Sequence, residues 1–210
     1  MQDLTEGVAR FQREVFPAKA GLFAHLAGHH APHTLFIGCS DARVAPELIT
    51  QGEPGEIFVI RTAGNLVPAY TPAAEAVAAS IEYAVAVLGV SNIVVCGHSA
   101  CGAMTALAED HDLSGAPLVA DWLRHADAAV ARSAGLAAGR EKVGLLVRQN
   151  VHAQLTNLAT HPCVARALAE RKVTLHGWVF DIGTGRVEVL ESTGTATGRS
   201  TVLAARPAAA

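Results

Sequence analysis

Charged side chains are scarce in this sequence: 17% of its 210 residues are Asp, Glu, Lys or Arg, and the net charge is −3 with the ten histidines neutral. No Lys/Arg cluster stands out, so the electrostatic footprint of a nucleic-acid binder is missing. Long apolar runs are missing too. The longest, such as Ala84 to Val90, fall well short of the roughly 20 residues that cross a bilayer. Met1 to Arg13 mixes Asp3, Glu6, Arg10 and Arg13 with apolar residues and lacks the basic and apolar regions of a secretion signal. These absences predict a soluble, cytoplasmic protein with neither a membrane nor a nucleic-acid partner. In that reducing compartment the four cysteines, Cys39, Cys96, Cys101 and Cys163, read as ligands, nucleophiles or buried thiols, not disulfide halves.

What is present is globular. Half the residues are hydrophobic and the length suits a single domain, 1–210. Residues 5–26 carry Val8, Phe11, Val15, Phe16, Leu22 and Phe23 at loosely helical spacing, interrupted by Pro17 and Gly21, which predicts a helical arm over 1–27 made of two short helices. Compact apolar runs at Thr34–Gly38, Ile57–Ile60 and Asn92–Cys96 predict buried strands. Thr71-Pro72 opens a helix that Gly89 closes, and helices are expected at about 117–131 and 141–158. A hairpin is expected from Val173–Phe180 and Val187–Leu190 around the turn Asp181–Gly185. The tail, about 198–210, carries no pattern. Strands alternating with helices predict an α/β fold, a mostly parallel sheet flanked by helices. The expected strand order is 2-1-3-4, after the common 2-1-3 arrangement, with an antiparallel edge strand.

Chemistry in such sheets gathers at the carboxyl ends of the strands. Cys39 ends the first strand, and His98 and Cys101 follow the third at a strand-to-helix turn. In the order 2-1-3 the three side chains converge. A Cys2His set with one open position is a catalytic zinc arrangement, whereas four protein ligands close a structural site. Spacing alone is equally compatible with two buried thiols and a loop histidine. Asp41 and Arg43 follow Cys39 closely. Arg43 can hold the carboxylate by paired hydrogen bonds and aim it at a metal-held hydroxide. Alternatively Asp41 reaches the metal as a fourth ligand, or the two form a solvated ion pair capping a helix from Val44. Cys96 lies inside a strand and Cys163 follows Pro162 at a helix start, so both read as core thiols.

The segments Cys39-Ser40-Asp41-Ala42-Arg43, Gly55 to Asn65 and Gly97-His98-Ser99-Ala100-Cys101-Gly102 together closely resemble the β-class carbonic anhydrases. Glu82-Tyr83-Ala84-Val85 and His176 to Asp181 extend the likeness, which spans roughly residues 8–190. The resemblance implies one Zn2+ per subunit on Cys39, His98 and Cys101, with Asp41 and Arg43 as the catalytic dyad and Asp41 a fourth ligand only in a closed state. It implies Phe58 and Tyr83 as the wall where carbon dioxide sits, and the Gly102 backbone near the substrate oxygens. Two departures stand out: Ala42 where the family often has Ser, and His30 where many members carry a substrate-binding glutamine.

The implied reaction is reversible hydration of carbon dioxide to bicarbonate and a proton, by attack of hydroxide held on zinc. Rival readings are hydrolysis of carbon disulfide or carbonyl sulfide on the same fold, and a non-catalytic zinc or redox sensor. The apolar arm implies at least a homodimer. The resemblance implies the same, with the zinc sites near the subunit boundary and Tyr83 contributed across it. Some family members close the metal site when bicarbonate binds beside it, in a pocket marked by a tryptophan, an arginine and a tyrosine. The matching positions here hold Phe36, Arg61 and Phe180.

Overall fold

The computed structural model describes residues 4–73, 75–136, 139–190 and 201–202. The chain divides into two compact units, residues 1–31 and 32–210. The larger is built on a sheet of order β2-β1-β3-β4-β5-β6: β1 Thr34–Cys39, β2 Ile57–Thr62, β3 Asn92–His98, β4 Thr174–Phe180, β5 Val187–Leu190 and β6 Thr201–Val202. The pairs β1/β2, β1/β3 and β3/β4 are parallel, and β4/β5 and β5/β6 antiparallel. Continuous burial of Leu35, Phe36 and Ile37 and of Ile93 to Cys96 is what a strand covered on both faces demands.

Helices α3 Pro46–Thr50, α4 Ala76–Glu82, α5 Gly102–Ala108, α6 Pro117–Leu123, α7 Asp127–Ser133, α8 Gly139–Ala159 and α9 Pro162–Ala169 complete this unit. The long α8 runs against β3 and β4. Two glycines set that approach: a Cβ on Gly97 would lie 2.9 Å from a Val151 methyl, and one on Gly177 3.0 Å from the other. Leu146, Val147, Val151, Leu155 and Leu158 of α8 join Leu35, Ile37, Ile93 and Val95 in the main core. A smaller cluster on the opposite sheet face holds Phe36, Val94 and Cys96, with Val59, Trp178 and Phe180 against it.

Register places the chemistry. Cys39 pairs with Thr62 at the last step of β1/β2, and His98 with Phe180 at the last step of β3/β4. Gly38 lies beside Cys96, so Cys39 and His98 end adjacent strands.

The smaller unit contains α1 Leu4–Arg10, a π-helical turn Phe11–Val15 and α2 Phe16–Leu26. The break expected at Pro17 and Gly21 does not occur. Pro17 sits where the π-helical turn Phe11–Val15 passes into α2, and the chain stays helical through it. Phe16 and Phe23 stack at 5.4 Å, and Phe11 meets each edge-on at 6.1 Å. No residue of these helices is buried.

Other boundaries shift as well. The helix expected from Thr71 begins at Ala76, and its last turn, Tyr83–Val87, widens to π-helical. The stretch 117–131 is two helices joined by a 3-10 turn at Arg124–Ala126. Of the tail, Thr201 and Val202 pair with β5, and the rest lies outside the described residues. No helix among the described residues is long and apolar enough to cross a membrane.

Candidate metal centre

β1 delivers Cys39 and β3 delivers His98 to the same end of the sheet. After His98 the chain is pinned by the Ser99 N–H, which donates to the Phe180 carbonyl at 2.9 Å. The Ser99 hydroxyl accepts from the Ile182 N–H at 2.9 Å, tying this loop to the β4–β5 turn. Ala100 then takes a left-handed conformation, φ 52°. That turn swings Cys101 back beside His98, as the residue preceding the first turn of α5. The ligand atoms of Cys39, His98 and Cys101 all lie within 4.8 Å of one another, and all three residues are buried.

Their chemistry fits a thiophilic divalent cation. His98 Nδ1 is 3.0 Å from the Ser99 carbonyl, to which it donates as N–H, so Nε2 carries the bare lone pair. Fully buried, that Nε2 has no hydrogen-bond partner among the described residues. An orphaned polar atom of this kind costs about 1–3 kcal/mol unless something fills the space it faces. Cys39 is held well below an ordinary thiol, first because Cys101 donates to it, and then, against burial, through the backbone of Asp41 and Gly64. The same contact, together with burial, drives Cys101 far up. Two sulfurs share one proton in this arrangement, and a cation in its place would let both be thiolates. Tetrahedral zinc needs its ligand atoms roughly 3.5–3.8 Å apart, given metal–ligand bonds of about 2.0–2.3 Å. The cluster, with all three atoms inside 4.8 Å of one another, is compatible with that spacing.

Asp41 stands at the rim. Arg43 donates to it from Nε (2.9 Å to Oδ1), from Nη2 (2.6 Å to Oδ2) and from its backbone N–H (2.9 Å to Oδ1). Arg43 thus holds the carboxyl below the usual carboxylate range, against some burial. Oδ2 is 3.9 Å from His98 Nε2. The carboxylate therefore pairs with arginine beside the three-ligand cluster, and the pair is not a helix cap, since α3 starts only at Pro46. Arg43 Nη2 also reaches the Ala100 carbonyl at 3.0 Å, bridging the loops that follow β1 and β3.

Two contributors were not singled out for this role by spacing. The Gly64 N–H points at Cys39 Sγ, 3.4 Å away, from a left-handed glycine, φ 74°. Arg61 donates to the carbonyls of Cys39 (3.0 Å) and Asp41 (2.6 Å), fixing the loop that bears both. Backbone donors leave no trace in side-chain spacing. The Gly64-Asn65 pair, a combination that tolerates positive φ, was the available signal.

The expected pocket residues divide. Gly102 opens α5 next to Cys101, with open space where a Cβ would stand. Phe58 and Tyr83 do meet, with ring centroids 5.9 Å apart. Yet Phe58 precedes Thr62, the strand partner of Cys39, by four residues, about 13 Å at 3.3 Å per residue. The wall they form is therefore remote from this chain's own Cys39. His30 is exposed in the smaller unit.

Comparison with known proteins agrees with this geometry. Residues 34–187 match the family model described as carbonic anhydrase. A carbonic anhydrase of Pseudomonas aeruginosa is 57% identical over 193 residues, covering 91% of this chain and 88% of that one. Carbonic anhydrase 1 of Escherichia coli O157:H7 is 50% identical over 209 residues, 99% and 94% of the two chains. Among solved structures, the β-carbonic anhydrase CcaA superposes with a TM-score of 0.87 at 40% identity, over 91% of this chain and 95% of that one. A tetrameric β-carbonic anhydrase from Sordaria macrospora gives 0.72 at 33%, over 95% and 94%. With matches of this extent, and with a Cys-His-Cys cluster at the strand ends, the chain belongs to the β-carbonic anhydrases, a family of lyases.

Proposed function

We propose that this protein is a zinc-dependent carbonic anhydrase that interconverts carbon dioxide and bicarbonate, with one Zn2+ per subunit held by Cys39, His98 and Cys101. Zinc bound there supplies the Lewis acidity that makes water acidic near neutral pH. The protein's part is orientation. A carboxylate offers about four lone-pair sites. In Asp41, Oδ1 accepts from the Arg43 N–H and Nε, and Oδ2 accepts from Nη2, which leaves a site on Oδ2. That oxygen is the one near His98 Nε2. It accepts the O–H of the attacking oxygen, turns a lone pair of that oxygen toward carbon dioxide, and is kept out of the ligand set by Arg43. The Arg43-locked Asp41 beside a three-ligand cluster is the observation that carries the reading. It favours an enzyme over a zinc or redox sensor, which has no use for an oriented acceptor.

The remoteness of Phe58 and Tyr83 from Cys39 supports a homodimer or higher oligomer in which this pair lines a second copy's site. The apolar Phe11, Phe16 and Phe23 cluster and the tetrameric relatives support the same assembly. The reading includes a single catalytic domain with a helical arm, a cytoplasmic setting, and no nucleic-acid or membrane partner. The low charge and four free cysteines support these. His30 is proposed as a further substrate contact.

The deciding experiment measures zinc content and carbon dioxide hydration on one sample, with carbon disulfide and carbonyl sulfide assayed in parallel. Replacing Cys39, His98 or Cys101 by alanine should lower zinc and abolish hydration together. A zinc-free, fully active Cys101→Ala protein would sink the assignment. Sedimentation of an active monomer would sink the shared wall.

A further inference from the structure

The Gly64 N–H reaches the sulfur of Cys39 at 3.4 Å, and both sides of that peptide are gripped from elsewhere in the fold. The N–H belongs to the Ala63–Gly64 peptide, whose carbonyl, on Ala63, accepts from Trp122 Nε1 at 2.9 Å. The next carbonyl, on Gly64, accepts from Asn150 Nδ2 at 2.9 Å. Asn150 is fully buried and is itself oriented: its Oδ1 accepts from Gln154 Nε2 at 2.9 Å, and Gln154 Nε2 also donates to the His125 carbonyl at 3.1 Å. Below it, Gln154 Oε1 accepts from the Val67 N–H at 2.8 Å, and Asn157 Nδ2 donates to the Val67 carbonyl at 2.8 Å. So α8, otherwise buried through aliphatic side chains, carries Asn150, Gln154 and Asn157 at helical spacing along the segment that follows β2.

Burying Asn150 and Gln154 on a core helix, with Asn157 half-buried beside them, is costly unless they specify something. A simple strand cover would be aliphatic. What these specify is the path of residues 63–67, and the N–H on Cys39 lies at its head. Gly64 cannot hold that path itself. It is left-handed and has no side chain, and a Cβ there would come within 3.0 Å of Ala103 Cβ, so the position must stay glycine and be fixed from outside. A hydrogen bond accepted at a peptide carbonyl also polarises its N–H, strengthening that donor.

We infer that Trp122 and Asn150 are positioning residues for the metal centre, clamping the Gly64 segment from two sides so that its N–H stays on the Cys39 sulfur. The inference rests on the zinc reading above. A donor on a thiolate lowers the energy of the sulfur lone pairs and so tunes what the sulfur gives a metal.

The test is cobalt(II) substitution, read by the near-ultraviolet thiolate-to-cobalt absorption and by the rate of metal loss to a chelator. Trp122→Phe removes the indole N–H with the five-membered half of the ring and keeps an aromatic six-membered ring, Asn150→Leu removes the amide, and Asn157→Leu disturbs the same ladder at Val67 without touching the Ala63 or Gly64 carbonyl. With the donor weakened, the sulfur lone pairs rise. In Trp122→Phe and Asn150→Leu the band should move to longer wavelength, and metal should leave up to about tenfold faster. Asn157→Leu should lower the melting temperature and leave the band in place. If Asn150→Leu does not fold, Trp122→Phe decides. An unmoved band and unchanged release in a folded Trp122→Phe protein overturns the inference, as does an Asn157→Leu band that moves as far. Wild-type protein that takes up no cobalt brings down the metal reading itself, and this inference with it.

Discussion

Arg43 grips Asp41 through both carboxylate oxygens, Nε on Oδ1 at 2.9 Å and Nη2 on Oδ2 at 2.6 Å. Parallel bonds of this kind fix the plane of the carboxylate as well as its position, and a lysine could not do the same. Because Nη2 also holds the Ala100 carbonyl, the loop after β1 and the loop after β3 move together.

Asp41→Asn tests the acceptor. Asparagine keeps the shape but offers one acceptor oxygen and an NH2 that would face the Arg43 donors or the reacting oxygen. The protein should keep its zinc, because Asp41 stands outside the ligand cluster. Hydration should slow by roughly 10–100-fold, the usual cost of losing a partner that orients a metal-site group. Metal analysis alongside the rate decides the role. Loss of zinc in Asp41→Asn would make the carboxylate a ligand.

Gly97→Ala tests how the last step of β3 is set. The added methyl would sit 2.9 Å from Val151 Cγ2 and 3.0 Å from Val147 Cγ1, inside the contact between β3 and α8. Overpacking of this kind costs about 1–3 kcal/mol. His98 is the next residue, so the strain should reach the centre. Chemical denaturation should show the loss, and zinc affinity should fall with it. Wild-type stability in Gly97→Ala would mean that α8 yields more easily than the close approach implies.

Much of this was legible in the sequence, and the misses have physical causes. Cys39, His98 and Cys101 could be read as convergent because strand ends follow from patterns of apolar residues and the common 2-1-3 order makes the two strands neighbours. The parallel strands came within two residues of their observed ends. The helix boundaries did worse. Ala-rich sequence before Ala76 has no local feature to stop a helix pattern, and the 3-10 turn at Arg124–Ala126 breaks no hydrophobic periodicity. Pro17 signalled a break and instead sits where the π-helical turn passes into α2. The Asn150, Gln154 and Asn157 ladder went unread because polar residues on a helix look solvated until the chain they hold is known.

Half-buried histidines predict weaker folding in acid. Burial lowers the pKa of His176, whose Nε2 donates to Asn92 Oδ1 at 3.0 Å, and burial together with Arg132 lowers that of His152. The unfolded chain then binds more protons than the native state between each lowered pKa and the unperturbed value of about 6.5. This contribution is complete above about pH 6.5 and is lost as pH falls through the lowered values. Urea midpoints should drop from pH 7.5 to pH 5.5, and His176→Gln should drop less. An equal or larger drop in His176→Gln would show that His176 contributes nothing to it.

The last prediction concerns bicarbonate. The family resemblance implies an inhibitory pocket in those members that carry a tryptophan, an arginine and a tyrosine at the positions of Phe36, Arg61 and Phe180. Phe36 is fully buried, with its ring centroid 6.3 Å from that of Trp178, and Phe180 packs against the same cluster. Neither ring can donate a hydrogen bond. Arg61 survives, but its Nε and Nη2 are committed to the carbonyls of Cys39 and Asp41. A hydrogen bond to a charged group contributes about 1.5–3 kcal/mol, so losing two donors should weaken anion binding by roughly two orders of magnitude or more. Without an anion to draw Asp41 away, its pairing with Arg43 should persist. Activity should therefore decline only gradually toward acid pH, and added bicarbonate should leave the profile's shape unchanged. Phe36→Trp combined with Phe180→Tyr should restore sensitivity. A steep, cooperative loss in the wild type, sharpened by bicarbonate, would show that the closed state forms without those two donors.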